Sequence, residues 1–194
     1  MADKYHSDNE LENHKVILDA HTRDASQIRR VGRWLGSSSS SKVIAGNQIY
    51  VCPFVITRPM SFDCLALRVN VLEAGKHARM GIYSDNGSVY PDTLLVDGGE
   101  VSLATASYVY AVIDISLPKG VYWTAVLSDA TGTAQLIMIY QDFKEVLGNT
   151  YPGGSSLSWQ AAQAYGALPA TFPGSVADTN YIIGFVGLRV KSMD

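Results

Sequence analysis

Across most of this chain, apolar residues return at every second position, and that rhythm decides what the chain can fold into. Leu65, Leu67, Val69 and Val71 mark one face of the run from Cys64 to Val71. Val109, Ala111, Ile113 and Ile115 alternate with Tyr110, Val112, Asp114 and Ser116. Ile182, Gly184, Val186, Leu188 and Val190 repeat the pattern near the C-terminus. Further runs lie near 48–56, 78–84, 94–101, 120–128 and 134–140, which makes about eight strands. Side chains on a strand point alternately to its two faces, so this period predicts antiparallel sheets, each covered on one face. Two such sheets packed together give the expected fold: an all-β, antiparallel two-sheet sandwich of the jelly-roll type.

The turns agree with this reading. Asp85-Asn86-Gly87 supplies the positive backbone angles of a tight hairpin, and Leu117-Pro118-Lys119-Gly120 is expected to separate two runs in the same way. Residues 141–180 keep no clear period and carry five glycines and three prolines, Gly148, Gly153, Gly154, Gly166, Gly174, Pro152, Pro169 and Pro173. A loop that long inside a compact domain is uncommon and often functional.

The first 36 residues differ in character, with six Lys+Arg and six Asp+Glu. They end at Gly36, and Ser37 to Ser41 form a serine run that favours a flexible or extended link. The expected organisation is an attachment or oligomerisation arm over 1–36 and a β-sandwich domain over 37–194. The arm reads as helical. Ser7 and Glu10 fit a capping box, and Leu11, His14, Leu18, His21, Ala25 and Ile28 alternate spacings of three and four. That seam suits docking or self-association as well as packing on its own domain. Trp34 and Leu35 follow it, beside Arg29, Arg30 and Arg33, cations that suit the end of a helix.

Composition narrows the function classes. The chain has 194 residues, 47% hydrophobic and 17% charged, enough for a sizeable core. A net charge of −3 and a pI near 5.8 argue against a nucleic-acid partner. No apolar run approaches a membrane span, and the polar start Met1-Ala2-Asp3-Lys4 is not a secretory signal. No phosphate-binding loop, zinc signature or serine nucleophile elbow is present, so neither a cofactor nor a metal is expected. A histidine-based site in the sandwich would depend on His77, which reads as a surface residue entering a strand. The carboxylates Asp142, Glu145 and Asp178 in the loop, with Asp85, Asp92, Asp97 and Glu100 near the hairpin, read first as turn residues and only distantly as a glycosidase pair. Cys52 and Cys64 lie equidistant from Arg58; a hairpin centred there would bring them together, but buried thiols are the preferred reading.

Aromatic residues give the best binding signal. Tyr151, Trp159, Tyr165 and Phe172 are the candidate ligand or interface residues, among Tyr140, Phe143 and Tyr181 of the same region. Aromatic faces stack on sugars, anchor protein interfaces, or roof a core.

One set of motifs resembles a known domain. Gly81-Ile82-Tyr83-Ser84-Asp85-Asn86-Gly87-Ser88-Val89-Tyr90-Pro91 leads into Leu94 to Val101, and Leu117-Pro118-Lys119-Gly120-Val121-Tyr122-Trp123 follows. Over roughly residues 45–190 this is similar to a β-sandwich domain of tailed-bacteriophage virion proteins, of the capsid-decoration, head-fibre and tail-fibre C-terminal types. Pro118-Lys119-Gly120 replaces that pattern's Pro-Pro-Gly. The resemblance implies no catalytic residue. It implies a non-enzymatic, oligomeric, typically trimeric virion protein, made in the host bacterial cytoplasm, whose partners are other capsid or tail proteins. Its arm residues Leu11, His14, Leu18, His21, Ile28, Trp34 and Leu35 would attach or assemble it. The length suits a decoration or head-fibre subunit better than a complete long fibre. The alternative is a tail-fibre module that recognises host surface glycans.

Overall fold

The computed structural model describes residues 28–29, 39–139, 158–174, 177–179, 182–183 and 186–193. These residues form strands and connecting turns, with no helix among them. The strands are β1 (Ile28–Arg29), β2 (Ser39–Val43), β3 (Gln48–Ile56), β4 (Met60–Val71), β5 (His77–Asp85), β6 (Pro91–Ser102) and β7 (Tyr108–Leu117). They continue with β8 (Gly120–Ser128), β9 (Gln135–Ile139), β10 (Ser158–Ala162), β11 (Ala177–Thr179), β12 (Ile182–Ile183) and β13 (Val186–Met193). Every pairing is antiparallel.

Two sheets result. One has seven strands along the path β1-β13-β4-β9-β12, with β2 added on β9 and β7 on β4. The other has six, in the order β11-β10-β3-β8-β5-β6. Their facing sides share one apolar core. Phe54, Ile82 and Val126 from the six-stranded sheet meet Phe62, Leu65 and Leu188 from the seven-stranded one. The molecule is therefore β-sandwich-like, as the period-two pattern predicts. The eight predicted runs appear as β3 to β9 and, for the last, as β12 and β13.

The pairs nest. β5 pairs β6, β4 pairs β7, β3 pairs β8, and β2 pairs β9. Each inner pair lies between the partners of the next outer one in sequence. The ribbon of β3 with β8 continues into that of β4 with β7, because Ile56 faces Gly120 and Met60 faces Leu117. Both chains turn there from one sheet into the other.

Those crossings correct one expectation, the turn at Leu117 to Gly120, and bear out another, the two buried thiols. Leu117 to Gly120 does not close a hairpin between neighbours: β7 pairs β4 and β8 pairs β3 and β5. Thr57 to Met60 likewise carries the chain between sheets, which leaves Cys52 and Cys64 in different sheets as free, buried thiols. Pro59 and Pro118 fit such corners because proline has no N–H to give a ladder.

Three further expectations change. The serine run is no loose link from Ser39 onward: Ser39–Val43 forms a full ladder with β9, and Ser41 Oγ donates to Gln135 Oε1 at 2.7 Å. Ile28 is extended where the helical seam was expected to reach it, because β13 offers Ile28–Arg29 an edge to pair with. The other arm candidates, Leu11, His14, Leu18, His21, Trp34 and Leu35, lie outside the described residues, as does Tyr151. Finally, the late loop is not structureless throughout: β10 pairs β3 on one edge and β11 on the other.

Candidate interaction site

The six-stranded sheet is covered on both faces, and its outer cover is where the aromatic candidates fall. Along β3 and β8 burial is nearly continuous rather than alternating. Ile49, Val51, Trp123, Ala125 and Leu127 point outward, yet all are buried. The segment that follows β10 lies over them, with Ala161, Leu168 and Phe172 in the same cluster. This second small core removes apolar surface that a one-faced sheet would leave in water.

The floor of that cover is built from the hairpin motif. Tyr83 is fully buried, packs edge-on against Phe172 at a centroid distance of 5.5 Å, and donates its hydroxyl to the Pro169 carbonyl at 2.9 Å. Gly81 sits beneath Leu168; a Cβ there would lie 2.7 Å from the Val96 carbonyl oxygen and collide with the Leu168 side chain. Glycine is what allows the cover to approach so closely. Beyond it, Gly87 has a φ of 86°, and Asp85 Oδ1 accepts from the Gly87 amide at 2.7 Å. This is the predicted turn chemistry. Val89, at a φ of 61°, is a β-branched residue in the left-handed region, held there between the turn and the apolar cluster.

The second motif closes on the first. Trp123 is fully buried, and its Nε1 donates to Asp85 Oδ2 at 2.9 Å. Asp85 therefore serves the turn with one oxygen and the neighbouring strand with the other. Tyr122, on the inner side, donates to the Pro118 carbonyl at 3.0 Å and fixes the corner.

Main-chain bonds stitch the cover to β6. Leu94 N–H donates to the Ala170 carbonyl at 2.9 Å, and Phe172 N–H to the Asp92 carbonyl at 2.7 Å. Asp97 accepts from the Leu168 amide at 3.2 Å, from the Gly99 amide at 2.8 Å, and from Arg79 Nη1 at 2.9 Å. The far end is held by Asn47, whose side-chain oxygen accepts from the Tyr165 amide at 2.9 Å.

The predicted residues thus divide. Phe172 is a core residue, 6% exposed, and is unavailable to a ligand. Tyr165 is partly buried and donates its hydroxyl to Glu100 Oε2 at 2.8 Å; burial and that bond push its phenol well above the ordinary value. Trp159 stacks on Tyr90, centroids 4.8 Å apart and planes 13° from parallel. Tyr90 is 39% exposed, so the stack presents one aromatic ring to solvent. Sequence reasoning missed Tyr90 and Tyr83 as parts of this site, although both stood in the quoted hairpin motif.

The titratable groups serve donors nearby. Asp92 accepts from Thr93 Oγ1 at 3.2 Å. His77 does enter a strand at the surface; its Nδ1 lies 3.7 Å from Asp129 and its Nε2 3.9 Å from Glu100. Glu73 accepts from Thr131 N, Thr133 N and Ala134 N and from the Thr131 hydroxyl, bonds that hold its carboxyl down to about 2. Burial raises both cysteine thiols, which keeps them protonated. Among the described residues no three metal-ligating side chains gather, and no helix is long and apolar enough to cross a membrane.

A comparison with protein-family models matches none of them, and a comparison with curated proteins finds no match.

Proposed function

We propose that this chain is a non-enzymatic structural protein of a tailed-phage virion surface: an oligomeric, trimeric capsid-decoration or head-fibre subunit of jelly-roll fold, anchored through residues 1–36. The observation that carries this reading is the nesting of β2 with β9, β3 with β8, β4 with β7 and β5 with β6. Taken alone, those eight strands order as β2-β9-β4-β7 and β3-β8-β5-β6, the arrangement in which a bent four-pair ribbon rolls into two sheets. Virion surface proteins use such rolls as rigid blocks. The motifs shared with the phage domain support the same reading, because Gly81, Tyr83, Asp85 and Trp123 all build the block. The carboxylates of the hairpin region, Asp85, Asp92, Asp97 and Glu100, are engaged in bonds that hold turns and cover in place.

The test is immunogold electron microscopy of the source virions with antibody against residues 37–194. Label over the capsid is the expected result. Virions that carry no label would overturn the proposal. Label at the tail tip alone would favour the second reading, a receptor-binding module for host glycans. That reading draws on the Tyr90–Trp159 stack, whose exposed ring suits a sugar face. Under it, Tyr90→Ala weakens attachment to host cells while the protein stays folded.

A further inference from the structure

The turn between β5 and β6 holds the only Asn-Gly step in the sequence, Asn86-Gly87. Asn86, Gly87 and Ser88 are exposed, so water reaches all three. Gly87 has a φ of 86°, and nothing lies within 4 Å of where its Cβ would stand. An Asn-Gly step is a reactive one, because a glycine nitrogen without a side chain beside it can attack the asparagine's own amide carbon. Here both reacting groups are already held. Asp85 Oδ1 accepts from the Gly87 amide at 2.7 Å, and Asn86 Oδ1 accepts from the Ser88 amide at 2.8 Å. Asp85 is fixed in turn by the Trp123 indole at 2.9 Å, and Asn86 by its N–H bond to the Tyr90 carbonyl at 2.9 Å. A carboxylate oxygen thus sits on the proton of the attacking nitrogen, and a main-chain N–H sits on the oxygen that would gather negative charge. These are the stations of a general base and an oxyanion donor.

We propose that this turn promotes its own deamidation, with Asn86 as the modification site and Asp85 as the general base, in a single turnover on its own chain. Asp85 takes the Gly87 N–H proton as that nitrogen bonds to Asn86 Cγ, and charge gathers on Asn86 Oδ1 against the Ser88 N–H. Collapse of this intermediate breaks the bond from Cγ to Nδ2. The side-chain nitrogen leaves as ammonia with the proton that Asp85 held, and a five-membered succinimide remains. Water opens that ring at either carbonyl, which gives aspartate or isoaspartate at position 86. One water is consumed, one ammonia is released, and nothing is oxidised or reduced. The product adds one negative charge to the native −3, next to Asp85. The isoaspartyl form also lengthens the main chain by one carbon in the loop that carries the exposed Tyr90 ring.

Peptide mapping by mass spectrometry tests this, reading the fraction of position 86 converted while the full chain is kept in warm, neutral buffer. Asn70, which precedes a valine, serves as the slow internal reference. Folded wild type is expected to convert at least about tenfold faster than wild type unfolded in guanidinium chloride. Asp85→Ser keeps an oxygen for the Gly87 amide but has no base, and is expected to lose that advantage. Ser88→Pro removes the oxyanion donor and is a second variant expected to slow conversion. A folded wild type that converts no faster than the unfolded chain overturns the proposal, since the turn then shields Asn86. A folded Asp85→Ser that keeps the wild-type rate overturns it as well. If Asp85→Ser does not fold, the comparison of folded with unfolded wild type decides alone.

Discussion

Asp85 shows how much one carboxylate organises. It terminates the β5–β6 turn and receives the indole N–H of a tryptophan from β8. Trp123→Phe removes that donor from a buried site and leaves an oxygen of Asp85 without its partner. The expected cost is about 2 kcal/mol, read as a lower urea midpoint with unchanged slope. Glu73, between β4 and β5, plays the corresponding part for the loop between β8 and β9, and here the consequence depends on pH. Its carboxyl is held down to about 2 when folded and lies at 4.5 otherwise. A group whose folded value is depressed stabilises the fold above its unfolded value and loses that contribution as pH falls. The melting midpoint of the wild type is therefore expected to exceed that of Glu73→Gln above pH 4.5. The gap closes as pH drops from 4.5 to about 2. A gap that stays constant across this window would show that the anchored carboxylate does not act through its charge.

The cover over the six-stranded sheet behaves as an element with its own stability. Phe172→Ala opens a cavity against Tyr83 and is expected to cost about 3 kcal/mol by urea unfolding, although Phe172 lies outside the inter-sheet core. Its aromatic content was legible in the sequence; its position was not. Trp159 and Phe172 stood out in a stretch without period, but nothing local said that β3 and β8 needed a cover. The available signal was the near-continuous apolar runs at 49–56 and 121–127, which mark strands buried on both faces. Alternation in β4, β7 and β13 made the strands readable because one face decides each side chain. The strand at Ser39–Val43 escaped that logic, since its ladder rests on main-chain bonds that serine run and linker possess equally. Corners were misread for a related reason: Leu117 to Gly120 has the residues of a turn whether the next strand pairs with the last or crosses to the opposite sheet.

At the scale of the whole molecule, sequence-distant pairing dominates. Ser39 faces Ile139, and Ile49 faces Leu127. Such contacts require long loops to close before they yield any stability. Refolding from urea is expected to take milliseconds to seconds, on the order typical of all-β folds, when followed by tryptophan fluorescence in a stopped-flow instrument. A microsecond phase that recovers the full signal would contradict the nested architecture as the barrier.

The same nesting sets a timetable for a chain that is still being made. The ribosome releases β2, β3 and β4 before any of their partners in the nested pairs exists. Once β5 and β6 are out they can join, after which β7 finds β4, β8 finds β3 and β9 finds β2, like parentheses closing from the inside outward. The pairs thus become able to close in the order in which their second members are made, from β6 to β9. At about 5–20 residues per second, β2 waits roughly 5–20 s for its partner to be synthesised. Polar Ser39, Ser40 and Ser41 are well suited to spend that interval in water.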